Sequence, residues 1–321
     1  MNSLVHEDVL LPPEPGVRSI ARALYRTVSN LPIISPHGHT DPRWYALDEP
    51  FPDPAQLLIV PDHYIFRMLF SQGIALEDLG VRRLDGAETE TDGRRIWKLF
   101  TENYHLFRGT PTRLWMDYVL SSLFHIEEPL DAGTADSSYD RIAEKLRQPE
   151  YRPRALFKRF NIEAIATTEG ALDDLRWHRM IRESGWDGRV VTAYRPDAVV
   201  DPDFEGFSAN LDLLGEITGE DTGTWAGYLA AHRKRRDYFK SFGATSSDHG
   251  HATADTANLS AAEAAALFDR IRSGRGDAGA PRHLAQAQAP GFFFIERGAG
   301  GANQGAAQVA VVIGGRGRGG C

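Results

Sequence analysis

Val17, Ile20, Ala21, Leu24 and Val28 recur at three- and four-residue spacing over 17–28, the period of an amphipathic helix. Asn30 can stop that helix, and Leu31 to Ser35 is a short apolar run that reads as a strand. The run ends in Pro36-His37-Gly38-His39. In extended chain the side chains of i and i+2 share a side, and Gly38 lets another backbone or a ligand come close. Two neutral imidazoles so placed suit a transition metal. A surface turn punctuated by Pro36 and Pro42 is the plain alternative.

Between Asp41 and Phe160 no segment alternates convincingly enough to be a strand. Asp62 is a plausible N-cap for a helix that starts at His63. On it Tyr64 and Arg67 share a face and could converge on one ligand, while Phe66, Met68, Leu69 and Phe70 read as core. A solvated face is the ordinary explanation for His63, Tyr64 and Arg67. From about Arg94 to Arg147 the pattern stays helical, broken at Gly109-Thr110-Pro111, where Thr110 caps and Pro111 takes the first helical position.

Beyond Phe160 the rhythm changes to strand, loop, helix, the signature of a parallel α/β sheet. Strands are expected at 162–167, running into Thr168-Glu169; at 189–194, ending in Arg195-Pro196-Asp197; and at 242–246, ending in Ser247-Asp248-His249-Gly250. A helix from Asp173 to Ile181 lies between the first two. Each strand delivers polar residues at its carboxyl end, where barrels and open α/β sheets place their chemistry. No glycine-rich dinucleotide turn and no phosphate loop follows any of them.

Composition narrows the class. With 321 residues, 42% hydrophobic, 25% charged and a net charge of −8, the chain is ordinary globular protein with no general attraction to nucleic acid or an anionic membrane. No signal peptide and no apolar run of spanning length is visible. A single cysteine, Cys321, excludes a cysteine-ligated zinc and fits a reducing cytoplasm.

Ser260 and Glu263 form a capping-box pattern for a helix to Ile271. From about Ser273 the chain turns to glycine, alanine and arginine with little periodicity, apart from apolar runs at 292–295 and 309–313. Such a composition is expected to be disordered. The segment Gly-Gly-Arg-Gly-Arg-Gly-Gly is similar to RNA-binding arginine-glycine tracts, but an out-of-frame reading of a GC-rich gene explains the same composition, and only four arginines follow Pro281.

Five segments now fall into one pattern: Ser35-Pro36-His37-Gly38-His39-Thr40-Asp41-Pro42; Asp62-His63-Tyr64 with Arg67; Thr167-Thr168-Glu169 with Asp173, Asp174 and His178; Tyr194-Arg195-Pro196-Asp197; and Ser247-Asp248-His249-Gly250. In this order they resemble the uronate (glucuronate) isomerases of the amidohydrolase superfamily over roughly the first 270 residues. The resemblance implies a (β/α)8 TIM-type barrel, here truncated. Its parts would be an N-terminal helix and first strand in 1–43, a helical insertion in 44–155, a partial barrel in 156–272 and a tail in 273–321. It also implies interconversion of D-glucuronate with D-fructuronate, and of D-galacturonate with D-tagaturonate. A divalent metal, usually zinc, would be held by His37 and His39 with an aspartate from the last barrel strand, a ligand missing from this chain. A cytoplasmic enzyme and a homo-oligomer are implied too.

Enediol chemistry needs one group to move a proton between two carbons and another to move one between two oxygens. Tyr64 and His63 are assigned those tasks. A phenol needs a neighbouring cation to work as a base near neutrality, which Arg67 or the metal could supply. Arg195 is the candidate for the substrate carboxylate, with an ion pair to Asp197 as its structural alternative. Asp248 and His249 are placed in or behind the site, Asp248 as a third catalytic candidate and His249 with Arg67 and Arg195 in substrate binding. For Glu169 and His178 a structural role leads. The rival readings are a metal-dependent hydrolase of the same superfamily and an inactive truncated product.

Overall fold

Proline has no amide hydrogen to give to a ladder, and the first strand, β1 (Ile33–Ser35), stops where Pro36 follows it. The structure is a computed structural model that describes residues 4–83, 85–250, 259–274 and 309–312. The chain forms two units, 1–32 with 48–161, and 33–47 with 162–321.

The first unit is helical, with no strand among its described residues. Its elements are α1 (Pro15–Val28), α3 (Pro54–Leu58), α4 (His63–Ser71), α5 (Gly93–Glu102), α6 (Pro111–Ser122), α7 (Ala135–Leu146) and α8 (Pro153–Arg159). Thr110 and Pro111 start α6 as the sequence predicts, the threonine hydroxyl accepting from the Arg113 amide. Aromatic residues at helical spacing build the core: Trp97, Phe100, Tyr104 and Phe107 are all fully buried. Their polar atoms are matched. Trp97 Nε1 donates to Ser138 Oγ at 3.0 Å, and the Tyr104 hydroxyl donates to Asp117 at 2.8 Å. Asp117 in turn receives Arg113 Nε at 2.7 Å. Burial, together with the adjacent carboxylate, pushes the Tyr104 phenol well above its ordinary pKa.

Helix α1 differs from this pattern. Its apolar face is where the spacing puts it, yet no residue of α1 is buried, and Ile20 and Leu24 are 64% and 65% exposed.

The second unit holds one sheet, in the order β1, β2 (Ile162–Gly170), β3 (Arg189–Arg195), β4 (Ser246–His249), β5 (Val309–Val312). The first three pairings are parallel and the last is antiparallel. Helices α2 (Pro42–Leu47), α9 (Arg176–Glu183), α10 (Asp197–Val200), α11 (Phe207–Thr218), α12 (Trp225–Ser241) and α13 (Ala261–Arg272) connect and cover the strands. Tyr194 of β3 packs with Tyr228 and Phe239 of α12 and Phe268 of α13 in the main cluster. The α13 capping box forms as read, Ser260 Oγ accepting from the Glu263 amide and the Glu263 carboxylate accepting from the Ser260 amide.

Two boundaries move. The strand expected at 242–246 is instead β4 at Ser246–His249, because Gly243 turns with φ +94° after Phe242 caps α12. The helix expected from Asp173 starts at Arg176. Asp173 and Asp174 accept from the amides of Leu175 and Arg176 in a turn, with Leu175 in the left-handed region at φ 52°. The expected disorder of 273–321 falls outside the described residues, except for Ser273, Gly274 and β5. Among the described residues no helix is long and apolar enough to cross a membrane.

Candidate metal centre

Strand alternation sorts the polar residues of the sheet onto two faces. On β2 and β3 the register sets Thr167 beside Thr192 and Glu169 beside Tyr194, and these side chains meet the helices. Thr167 Oγ1 lies 3.0 Å from His178 Nε2 of α9, and the Tyr194 hydroxyl lies 2.8 Å from His232 Nδ1 of α12. Arg195 and Asp248 take the other face, where Arg195 Nη1 donates to Asp248 Oδ2 at 3.1 Å.

His37 and His39 reach Asp248, though not by strand alternation. The strand has ended at Ser35, and both histidines lie in the irregular segment beyond Pro36. Their rings stand 5.0 Å apart and nearly perpendicular, at 85°. One nitrogen of each and an oxygen of Asp248 all lie within 4.8 Å of one another. His37 Nδ1 is 4.0 Å from Asp248 Oδ1, too far for a hydrogen bond and short enough for one ion to touch both.

Asp248 is fully buried. Its Oδ2 has the arginine, whereas its Oδ1 has no hydrogen-bond partner among the described residues. A buried carboxylate oxygen left without a donor is costly, and a cation between it and two imidazoles would satisfy it. Two nitrogens and one oxygen are the donor set of a borderline divalent ion such as zinc, and three protein ligands leave a position open. The residues fit the group. The carboxylate that meets the histidine pair here is Asp248, brought by β4, and not the aspartate expected from a last barrel strand.

Arg195 Nε also donates to Asp197 Oδ2 at 2.6 Å, and Asp197 accepts the Gly250 amide at 3.1 Å. The structural ion pair weighed for Arg195 therefore forms, and it extends to Asp248. His249 follows Asp248 in β4, so its side chain takes the helix-facing side, within electrostatic reach of the buried His232. Burial pushes His232 down to about 3.

The remaining candidates sit on α4 of the helical unit. Asp62 caps it through the amides of Tyr64 and Ile65. His63, Tyr64 and Arg67 are all exposed, and the rings of His63 and Tyr64 lie 4.2 Å apart. His63 thus keeps company with Tyr64, where helical spacing alone points it elsewhere. Ile65 and Leu69 supply the buried face, and Phe70, expected in the core, is 57% exposed.

Sequence reasoning left Glu169 and His178 as structural; it named Thr167 only as part of a motif and missed Thr192, the second threonine on the Glu169 carboxylate. Glu169 Oε2 accepts from Thr167 and from Thr192, and lies 3.7 Å from His178 Nε2. Burial lifts the Glu169 carboxyl to about 7 and presses His178 down to about 4. The distance would suit an ion pair, but desolvation works against charge on both groups, and the threonine hydroxyls already satisfy the carboxylate. Period-two alternation of Thr167 with Glu169 was the available signal.

A parallel α/β sheet with two histidines and a carboxylate gathered at its strand ends defines an α/β protein with a candidate metal site at the edge where such folds carry their chemistry. The glucuronate isomerase family model matches residues 1–283. The chain is 75% identical over 277 residues to a uronate isomerase of Mesorhizobium japonicum, covering 86% of this chain and 59% of that protein. It is 69% identical over 288 residues to a uronate isomerase of Rhizobium meliloti, covering 90% and 61%. The crystal structure of glucuronate isomerase from Caulobacter crescentus superposes with a TM-score of 0.84 at 50% identity, over 88% of this chain and 59% of that one. Uronate isomerase from Thermotoga maritima gives 0.77 at 26% identity, over 88% and 60%. This chain belongs to the glucuronate isomerase family, and it spans about three fifths of the length of the curated relatives it matches.

Proposed function

We propose that the chain is a uronate isomerase that interconverts D-glucuronate with D-fructuronate, and D-galacturonate with D-tagaturonate, through an enediol. The observation that carries this reading is the approach of His37, His39 and Asp248 to one point in a chain of the glucuronate isomerase family. The parallel strands are read as the first part of a (β/α)8 barrel of the amidohydrolase type. The setting is cytoplasmic, the partner a small uronate, and the enzyme a homo-oligomer.

His37, His39 and Asp248 would hold the divalent metal, zinc by its donor set. When bound, that ion polarises substrate oxygens and lowers the cost of charge on them. The other steps fall to side chains of this chain. Tyr64 takes the proton from C2 and returns it to C1, and His63 moves a proton from the C2 oxygen to the C1 oxygen, so the net change is a transposition with no water consumed. Arg67 and Arg195 bind the substrate carboxylate, Arg195 through the nitrogen positions left by Asp197 and Asp248. His249 supports Asp248 from behind.

The test is incubation of the zinc-loaded chain with D-glucuronate in deuterated water. Ketose formation with deuterium exchange at C2, both lost in Tyr64→Phe, is expected. A chain that binds zinc yet forms no ketose and exchanges no deuterium would overturn the reading. Arg195→Lys should raise KM for uronates much more than for neutral sugars, and equal effects would remove Arg195 from substrate binding.

A further inference from the structure

The segment that carries the histidine pair has little regular structure of its own. Beyond Ser35 it makes no ladder pairing among the described residues; Ser35 Oγ donates to the His37 carbonyl at 3.4 Å, and Thr40 is hydrogen-bonded to the Tyr45 side chain. A metal site depends on the groups that orient its ligands.

A second tie comes from across the sheet. Thr168 Oγ1 donates to the carbonyl of Gly38 at 2.9 Å, and Gly38 is the residue between the two histidines. The contact is close on the backbone as well, since a Cβ on Gly38 would lie 3.4 Å from the Ala166 carbonyl. Thr168 is half-buried on β2 and stands on the face opposite the Thr167, Glu169 and His178 cluster. Its neighbour in register is Ala193, too small to compete for the hydroxyl. A β-branched side chain in a strand has restricted χ1, so the hydroxyl is presented to Gly38 from a stiff mount.

We propose that Thr168 is a positioning residue for the metal centre: its hydroxyl grips the Gly38 carbonyl and so sets the separation and orientation of His37 and His39. The proposal rests on the metal reading above for its purpose, but the grip itself is a property of the metal-free chain. Thr168→Val keeps the shape and removes the hydrogen bond, Thr168→Ser keeps the bond, and Thr168→Ala removes both the bond and the methyl group.

Two readouts separate the claims. Long-range proton–nitrogen spectra of the imidazoles are recorded on the metal-free chain, and cobalt(II) is titrated while its visible absorption is followed. The expected result is that Thr168→Val shifts the His37 and His39 signals, weakens cobalt binding about tenfold, in the range of losses from outer-shell partners, and alters the cobalt spectrum. Thr168→Ser should restore all three. Imidazole signals and cobalt affinity unchanged in Thr168→Val, or in Thr168→Ala if the valine variant does not fold, would overturn the proposal. Parent chain that binds no cobalt while its imidazole signals still respond to Thr168→Val would remove the metal reading and leave the grip standing.

Discussion

His37 Nδ1 faces Asp248 Oδ1 across 4.0 Å, with the carboxylate fully buried and that oxygen lacking a hydrogen bond among the described residues. Desolvation makes a buried carboxylate oxygen without a donor unfavourable, and a cation in the gap would satisfy it. Asp248→Asn should therefore lower zinc affinity by more than the roughly 10–100-fold expected from losing an outer-shell partner. Competition against a chromophoric chelator measures this. Affinity within a few-fold of the parent would show that Asp248 is not a ligand.

Arg195 holds the other oxygen of Asp248 at 3.1 Å. Its side chain is 27% exposed while that of Asp248 is fully buried, so removing the arginine leaves a buried charge without its main partner. Arg195→Met is expected to destabilise the metal-free chain by about 3 kcal/mol, the low end for a broken buried pair because Arg195 is partly solvated. Adding Asp248→Asn should recover much of that loss. Urea unfolding of the two single variants and the double variant reads the coupling, and strictly additive losses would show that the pair does not interact.

Local chemistry was legible in the residues, and long-range placement was not. Ser260 with Glu263, Thr110 with Pro111 and Asp62 before His63 each satisfy amides within three residues, so their caps can be read from spacing alone. The parallel rhythm after Phe160 was readable because β2 and β3 carry apolar runs of their own. Asp248 was recognised as a site residue but not as the partner of the histidine pair, since only the β1 to β4 order brings them together. The start of β4 was misplaced because Phe242 and Ala244 look like strand residues, and the left-handed turn at Gly243 is invisible to an apolar count. The Thr168 to Gly38 bond is tertiary in the same way, and no local pattern announces it.

The apolar face of α1 should contribute little to folding stability in this chain. Ile20→Glu and Leu24→Glu remove side chains that are mostly solvated, so each should change the unfolding free energy by no more than about 0.5 kcal/mol, as for surface substitutions generally. Phe100→Ala, at a fully buried position of the same unit, should cost about 3–5 kcal/mol. Chemical unfolding followed by helical circular dichroism checks both. A large loss from the α1 variants would mean that the face is covered in solution.

The Glu169 and His178 pair makes opposite demands as pH changes. Burial raises the Glu169 carboxyl from 4.5 to about 7, against the two threonine hydroxyls and with Asp173 and Asp41 adding to the rise. Between those values the folded chain holds a proton that the unfolded chain has lost, so this group makes stability fall as pH climbs from 4.5 to about 7. His178 is lowered from 6.5 to about 4, by burial first and then by the Arg182 charge. Between about 4 and 6.5 the unfolded chain binds the proton, so this group makes stability rise with pH. The two slopes oppose each other over most of the same window and should leave the parent chain nearly flat there. Glu169→Gln removes the falling slope, and its stability should climb from pH 4.5 to 6.5. His178→Gln removes the rising slope, and its stability should decline from pH 4.5 to 7. Each change should be at most about 3.5 kcal/mol, from about 1.4 kcal/mol per pKa unit. Urea midpoints measured at half-unit pH steps would show the divergence, and parallel profiles for the two variants would mean that burial shifts neither group.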